Sequence, residues 1–145
     1  DWLFAALWRA GYANQPTSVS ADDGLRLSDA YVAAAVRCAP PANKPTPAER
    51  DRCLPYLGRE LALLGRVRVV VALGQFGYDA VARLLEVQKR PSFGHGVEAA
   101  AAEGGRTIIC SYHPSQQNTF TGKLTEPMLD GVFARARQLT SAGGR

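Results

Sequence analysis

A histidine in the stretch Ser111-Tyr112-His113-Pro114-Ser115-Gln116-Gln117-Asn118-Thr119 follows directly on an uncharged run, Thr107-Ile108-Ile109-Cys110. A short run with β-branched residues and no charge reads as a buried strand. In open α/β sheets ligands bind at the carboxyl ends of strands. His113 is therefore either a satisfied structural residue or a proton-bearing group at a working position. Pro114 removes a backbone donor and restricts the residue before it, which holds the histidine's backbone in one posture. Asn43 lies in a proline-framed loop, Ala39-Pro40-Pro41-Ala42-Asn43-Lys44-Pro45. Its amide serves either the turn itself or the edge of a bound base, held still by rigid flanks. Cys38 and Cys53 bracket that loop. Two cysteines are either unrelated buried thiols or part of a metal site, since zinc and iron–sulfur centres need about four ligands. Cys110 reads as inert core, and His95, between Gly94 and Gly96, as a loop residue rather than a catalyst.

The elements that must hold these residues alternate along the chain. Trp2, Leu3, Ala6, Leu7 and Ala10 repeat at helical spacing, with Gly11 as a C-terminal stop. Tyr12 to Ser28 is a polar loop, and Ala30 to Val36 has the small apolar composition of a strand buried on both faces. Thr46-Pro47-Ala48-Glu49 is a capping box with Pro at the first helical position, so a helix starts there, with Pro55 predicting a kink or break. Val67 to Leu73 is the clearest strand, followed by Gly74 and a helix over 76–87. Lys89 to Gly105 reads as a loop, as do the residues after Tyr112, and an amphipathic helix covers Glu126 to Ser141. The alternation predicts a parallel α/β sheet with helices on both faces.

The whole chain of 145 residues is the size of one domain. Its 46% hydrophobic and 21% charged residues are those of an ordinary soluble protein. A formal charge of +4 permits an anionic partner such as DNA, or simply describes a solvated surface. No apolar stretch reaches the ~18–20 residues that span a bilayer. An apolar helix that begins at the first residue, without Met or a leader, predicts an N-terminally incomplete domain.

"AAVRCAPPANKPTPAERDRCLPYL", "VVVALG" and "SYHPSQQNT", in that order, closely resemble the iron–sulfur uracil-DNA glycosylases, specifically the broad-specificity branch called family 5 or type B. The resemblance runs over essentially the whole chain. It implies a three-layer α/β/α sandwich with a four-stranded, mostly parallel sheet. It also implies a DNA repair enzyme of the cytoplasm, monomeric, without a membrane partner, acting on DNA that contains uracil or other deaminated bases. Such an enzyme flips the base out of the helix and hydrolyses its N-glycosidic bond. By resemblance His113 and Asn43 are catalytic, and with Ala34 they line the base pocket. Ala34 stands where a related branch has an asparagine that reads uracil tightly, and a small residue there leaves room for deaminated purines. The loop after His113 enters the DNA minor groove, so Ser115, Gln116, Asn118 and Lys123 are expected on DNA. Cys38 and Cys53 match two ligands of a [4Fe–4S] cluster whose other pair belongs to an upstream segment. Gln116 and Gln117 depart from the Pro-Leu more usual after His-Pro-Ser, and the family's first catalytic motif, with its acidic residue, lies upstream of Asp1. A uracil-DNA or abasic-site binding module without turnover is the alternative.

Overall fold

A computed structural model of the chain describes residues 2–33 and 47–143, without the side chains of 47, 49–51, 53, 142 and 143. The first helix, α1 (Trp2–Arg9), buries Ala6 and Leu7 and ends at Gly11, whose φ of 87° is the left-handed stop expected there. The polar segment that follows is closed by a single bridge between Ala13 and Leu27. Helix α2 (Pro47–Leu63) begins at the proline of the capping sequence and runs on through Pro55 without a break. Strand β1 (Val69–Leu73) leads into α3 (Gln75–Leu84). Strands β2 (Glu98–Ala100) and β3 (Thr107–Ser111), the short helix α4 (Gln116–Phe120) and the long α5 (Glu126–Gly143) complete the order.

The α/β class holds, with helices on both faces of the sheet. Among the described residues the sheet has three strands in the order β1-β3-β2, with β1 parallel and β2 antiparallel to β3. The strand expected over Ala30 to Val36 does not form at residues 30–33, where Tyr31 and Val32 are exposed, and 34–36 lie outside the described residues. A small apolar composition fits a buried strand only when neighbouring strands are there to cover it. The stretch read as one loop from Lys89 to Gly105 contains β2, an edge strand. A tight turn returns it to β3, with Gly104 and Gly105 both at positive φ. That conformation suits glycine and strains other residues.

Strand periodicity sorts the core. Val70, Ala72, Ile108 and Cys110 face Leu57 of α2 and Tyr78, Val81 and Ala82 of α3. Val69, Val71 and Ile109, one residue out of phase, face Val132, Ala136 and Leu139 of α5. A third cluster joins α1 to α5 through Ala6, Leu7, Tyr12, Leu129 and Phe133. At its rim Arg9 makes a forked contact to Asp130, with Nη2 donating to Oδ1 at 2.9 Å and Nε to Oδ2 at 3.1 Å. Both layers hold β1 and β3 rigidly, so the carboxyl ends of these two strands are a fixed platform.

Candidate active site

The platform ends in Gly74 on one strand and His113 on the other. The parallel register pairs Leu73 with Ser111, and the Gly74 amide donates to the Ser111 carbonyl at 2.8 Å, one step past the end of β1. Gly74 has φ 95° and ψ 167°, a region open in practice to glycine alone. A Cβ at Gly74 would lie 3.4 Å from His113 Cβ and 3.8 Å from its ring. The glycine thus makes the sharp strand-to-helix turn, and a side chain there would come into ordinary contact with the imidazole. His113 itself is exposed, at the strand-end position expected for it.

Below it the chain is densely tied. The His113 carbonyl accepts from the Ser115 amide at 2.8 Å and from Asn118 Nδ2 at 2.9 Å. Ser115 Oγ accepts from the Asn118 amide at 3.3 Å and caps α4, so the residues read as a loop contain a short helix. That helix rests on the cap and the Asn118 brace rather than on an apolar face, for it buries no residue. Ser115 and Asn118 therefore both have work inside the segment. Gln116 is exposed at its tip, and Lys123 is exposed with Nζ 4.8 Å from the centroid of the Tyr112 ring.

Tyr112 is the hub that residue-by-residue reading of the chain does not find. Its ring meets Phe93 at 6.2 Å and His95 at 5.2 Å between centroids. Its amide donates to His95 Nδ1 at 3.1 Å, while His95 Nε2 lies 3.0 Å from the Met128 carbonyl. A carbonyl can only accept, so Nε2 carries the proton and Nδ1 is the acceptor. His95 lies in a loop, as the sequence reads it, and its ring ties that loop to the end of β3 and to α5. It also lines an open, mostly apolar groove of about 220 Å³ with Met128, Val132 and Arg135; His113 is not part of that groove. Cys110 is fully buried, and burial pushes its thiol up to about 11, which suits inert core and not a ligand or nucleophile.

Of the other expected site residues, Ala34, Cys38 and Asn43 lie outside the described residues. Cys53 falls within α2, but its side chain is likewise outside the description. Among the described residues no group of three or more His, Cys, Asp or Glu side chains converges on a metal position, and no helix is long and apolar enough to cross a membrane.

A family model described as the uracil DNA glycosylase superfamily matches residues 1–137. The chain belongs to that superfamily. It is 50% identical over 142 residues to a protein named type-5 uracil-DNA glycosylase from Mycobacterium bovis, a match covering 96% of this chain and 53% of that protein. A protein of the same name from Thermus thermophilus is 44% identical over 139 residues, covering 95% of this chain and 63% of its own. A type-4 uracil-DNA glycosylase from Archaeoglobus fulgidus is 37% identical over 73 residues, covering 50% of this chain and 36% of its own. The chain spans between about half and two thirds of the length of the type-5 relatives it matches.

Proposed function

We propose that the protein carrying this chain is a uracil-DNA glycosylase, in which His113 stabilises the departing base. The observation that carries this reading is the closeness of His113 to Gly74 just past the carboxyl ends of adjacent parallel strands, in a chain matched by the superfamily over residues 1–137. Cleaving an N-glycosidic bond develops positive charge on the sugar and negative charge on the leaving base. The base must first leave the stack, because a protein cannot surround that bond inside a duplex. A donor aimed at a uracil carbonyl oxygen is worth more as charge accumulates there than in the ground state, typically about 10²–10³ in rate. His113 supplies that donor from a backbone clamped by Ser115 and Asn118. Asn43 contacts the base edge and helps seat the water. Gln116 and Lys123 contact the DNA backbone, with Ser115 and Asn118 shaping the segment that carries them.

Ala34 leaves the base pocket wide enough for hypoxanthine and other deaminated bases as well as uracil. Ala34→Asn is expected to narrow that preference. Relative excision rates on uracil and hypoxanthine substrates measure it, and an unchanged ratio would place Ala34 outside the pocket.

A [4Fe–4S] cluster fits this chain's donors in part. Cys38 and Cys53 would hold it; Cys110 is excluded by its burial in β3, so the remaining ligands come from beyond these three cysteines. Bound there, the cluster supplies a covalent tie rather than redox chemistry, and the proline-rich loop with Asn43 lies between its two ligands.

Release of free uracil from a uracil-containing duplex by the full-length protein tests the reading. Catalytic release supports it. Retention of the same duplex without base release would instead establish a binding module.

A further inference from the structure

We infer that His95 is a positioning residue for His113, acting through the Tyr112 peptide; this rests on the assignment of His113 above. His95 lies seventeen residues upstream of Tyr112, in the segment before β2, and joins three parts of the fold. Nδ1 accepts the Tyr112 amide at 3.1 Å, Nε2 donates to the Met128 carbonyl of α5 at 3.0 Å, and the ring packs on the Tyr112 ring at 5.2 Å. Tyr112 lies beyond the last β1–β3 register pair, Leu73 with Ser111, so the strand ladder no longer fixes it. The imidazole takes over at that point. It meets the amide of the one residue between the end of β3 and His113, and α5 anchors it from behind. Gly96 donates to the Cys110 carbonyl at 2.7 Å and Cys110 donates to Val97 at 2.8 Å, so the segment carrying His95 is itself stitched to β3.

The geometry separates the two bonds by atom. An asparagine carries its oxygen near the place of Nδ1, and a glutamine carries its amide near the place of Nε2. His95→Asn therefore keeps an acceptor for the Tyr112 amide and drops the bond to Met128. His95→Gln keeps a donor for Met128 and leaves the Tyr112 amide without its partner. His95→Leu drops both. Misplacement of a catalytic group by about 1 Å can cost on the order of 10²-fold in rate.

The experiment is single-turnover uracil release by the full-length protein and its His95→Asn, His95→Gln, His95→Leu and His113→Ala variants, with Tm and abasic-DNA affinity measured on each. The expected result is a loss of about 10- to 100-fold in the chemical step for the Gln and Leu variants. The Asn variant should stay within about threefold of wild type, with DNA affinity held in all three. Rates that follow Tm alone, or an Asn variant no faster than the Gln variant, would overturn the positioning role. His113→Ala at the wild-type rate would instead overturn the assignment of His113. The two failures are thus told apart by different variants, and the Asn–Gln comparison stands even if the Leu variant does not fold.

Discussion

The Cys110 thiol is fully buried between α3 and the sheet, and burial holds its proton far more tightly than in the unfolded chain. A thiol ordinarily titrates at 9.0, whereas the folded one is pushed up to about 11. Below the unfolded value both states carry the proton, and the stabilisation is fully present. As pH rises through that window the unfolded chain releases its proton first, so stability falls until the folded thiol titrates as well. The loss by pH ~11 amounts to at most roughly 3 kcal/mol. Cys110→Ala should flatten that part of the curve, and the difference between the two proteins removes the contributions of other groups. Urea unfolding at pH 8 and at pH 10.5 measures it, and parallel pH slopes would contradict the burial argument. That this cysteine belongs to the core is readable from an uncharged, β-branched run. The work of Ser115, Asn118 and His95 is not, because a polar side chain's partner depends on where the chain has turned.

Gly74 shows the same limit at the scale of the element. A glycine after a strand reads as a turn, but its closeness to His113 exists only once β1 and β3 are paired in parallel. Gly74→Ala should cost about 1–3 kcal/mol, because φ 95° with ψ 167° suits no side chain. The methyl group itself would stand in ordinary contact, 3.4 Å from His113 Cβ, so base release should fall only as far as the strained turn shifts beside His113. Denaturant midpoints and single-turnover rates measure the two effects separately, and a variant of wild-type stability would remove the strain argument. Elements with a strong period were legible: α1, β1, α3, β3 and α5 all lie within a few residues of where the apolar pattern puts them. Two of the misses share a cause. The strand β2 is three residues of Glu and Ala that exist because β3 offers an edge, and α4 exists because Ser115 caps it. Tertiary context and a single cap decide both, and neither leaves a periodic trace.

For the whole molecule, the sheet sandwiched between α2–α3 and α1–α5 brings His113 to one end of the platform formed by β1 and β3. If Cys38 and Cys53 hold the cluster proposed above, Cys38→Ala or Cys53→Ala in the full-length protein should lose iron and the absorbance near ~400 nm. Activity should fall with them through loosening of Asn43. Unchanged iron in either variant would refute that ligand. Removing the iron with a chelator should cost activity in the same way, without touching His113. The central claim, that His113 stabilises the leaving base, is tested most directly by single-turnover uracil release from a uracil-containing duplex by the full-length protein and its His113→Ala variant, with DNA affinity measured on the same samples. The account predicts a rate loss of about 10²–10³ at nearly unchanged affinity. A His113→Ala protein that releases uracil at the wild-type rate would contradict it.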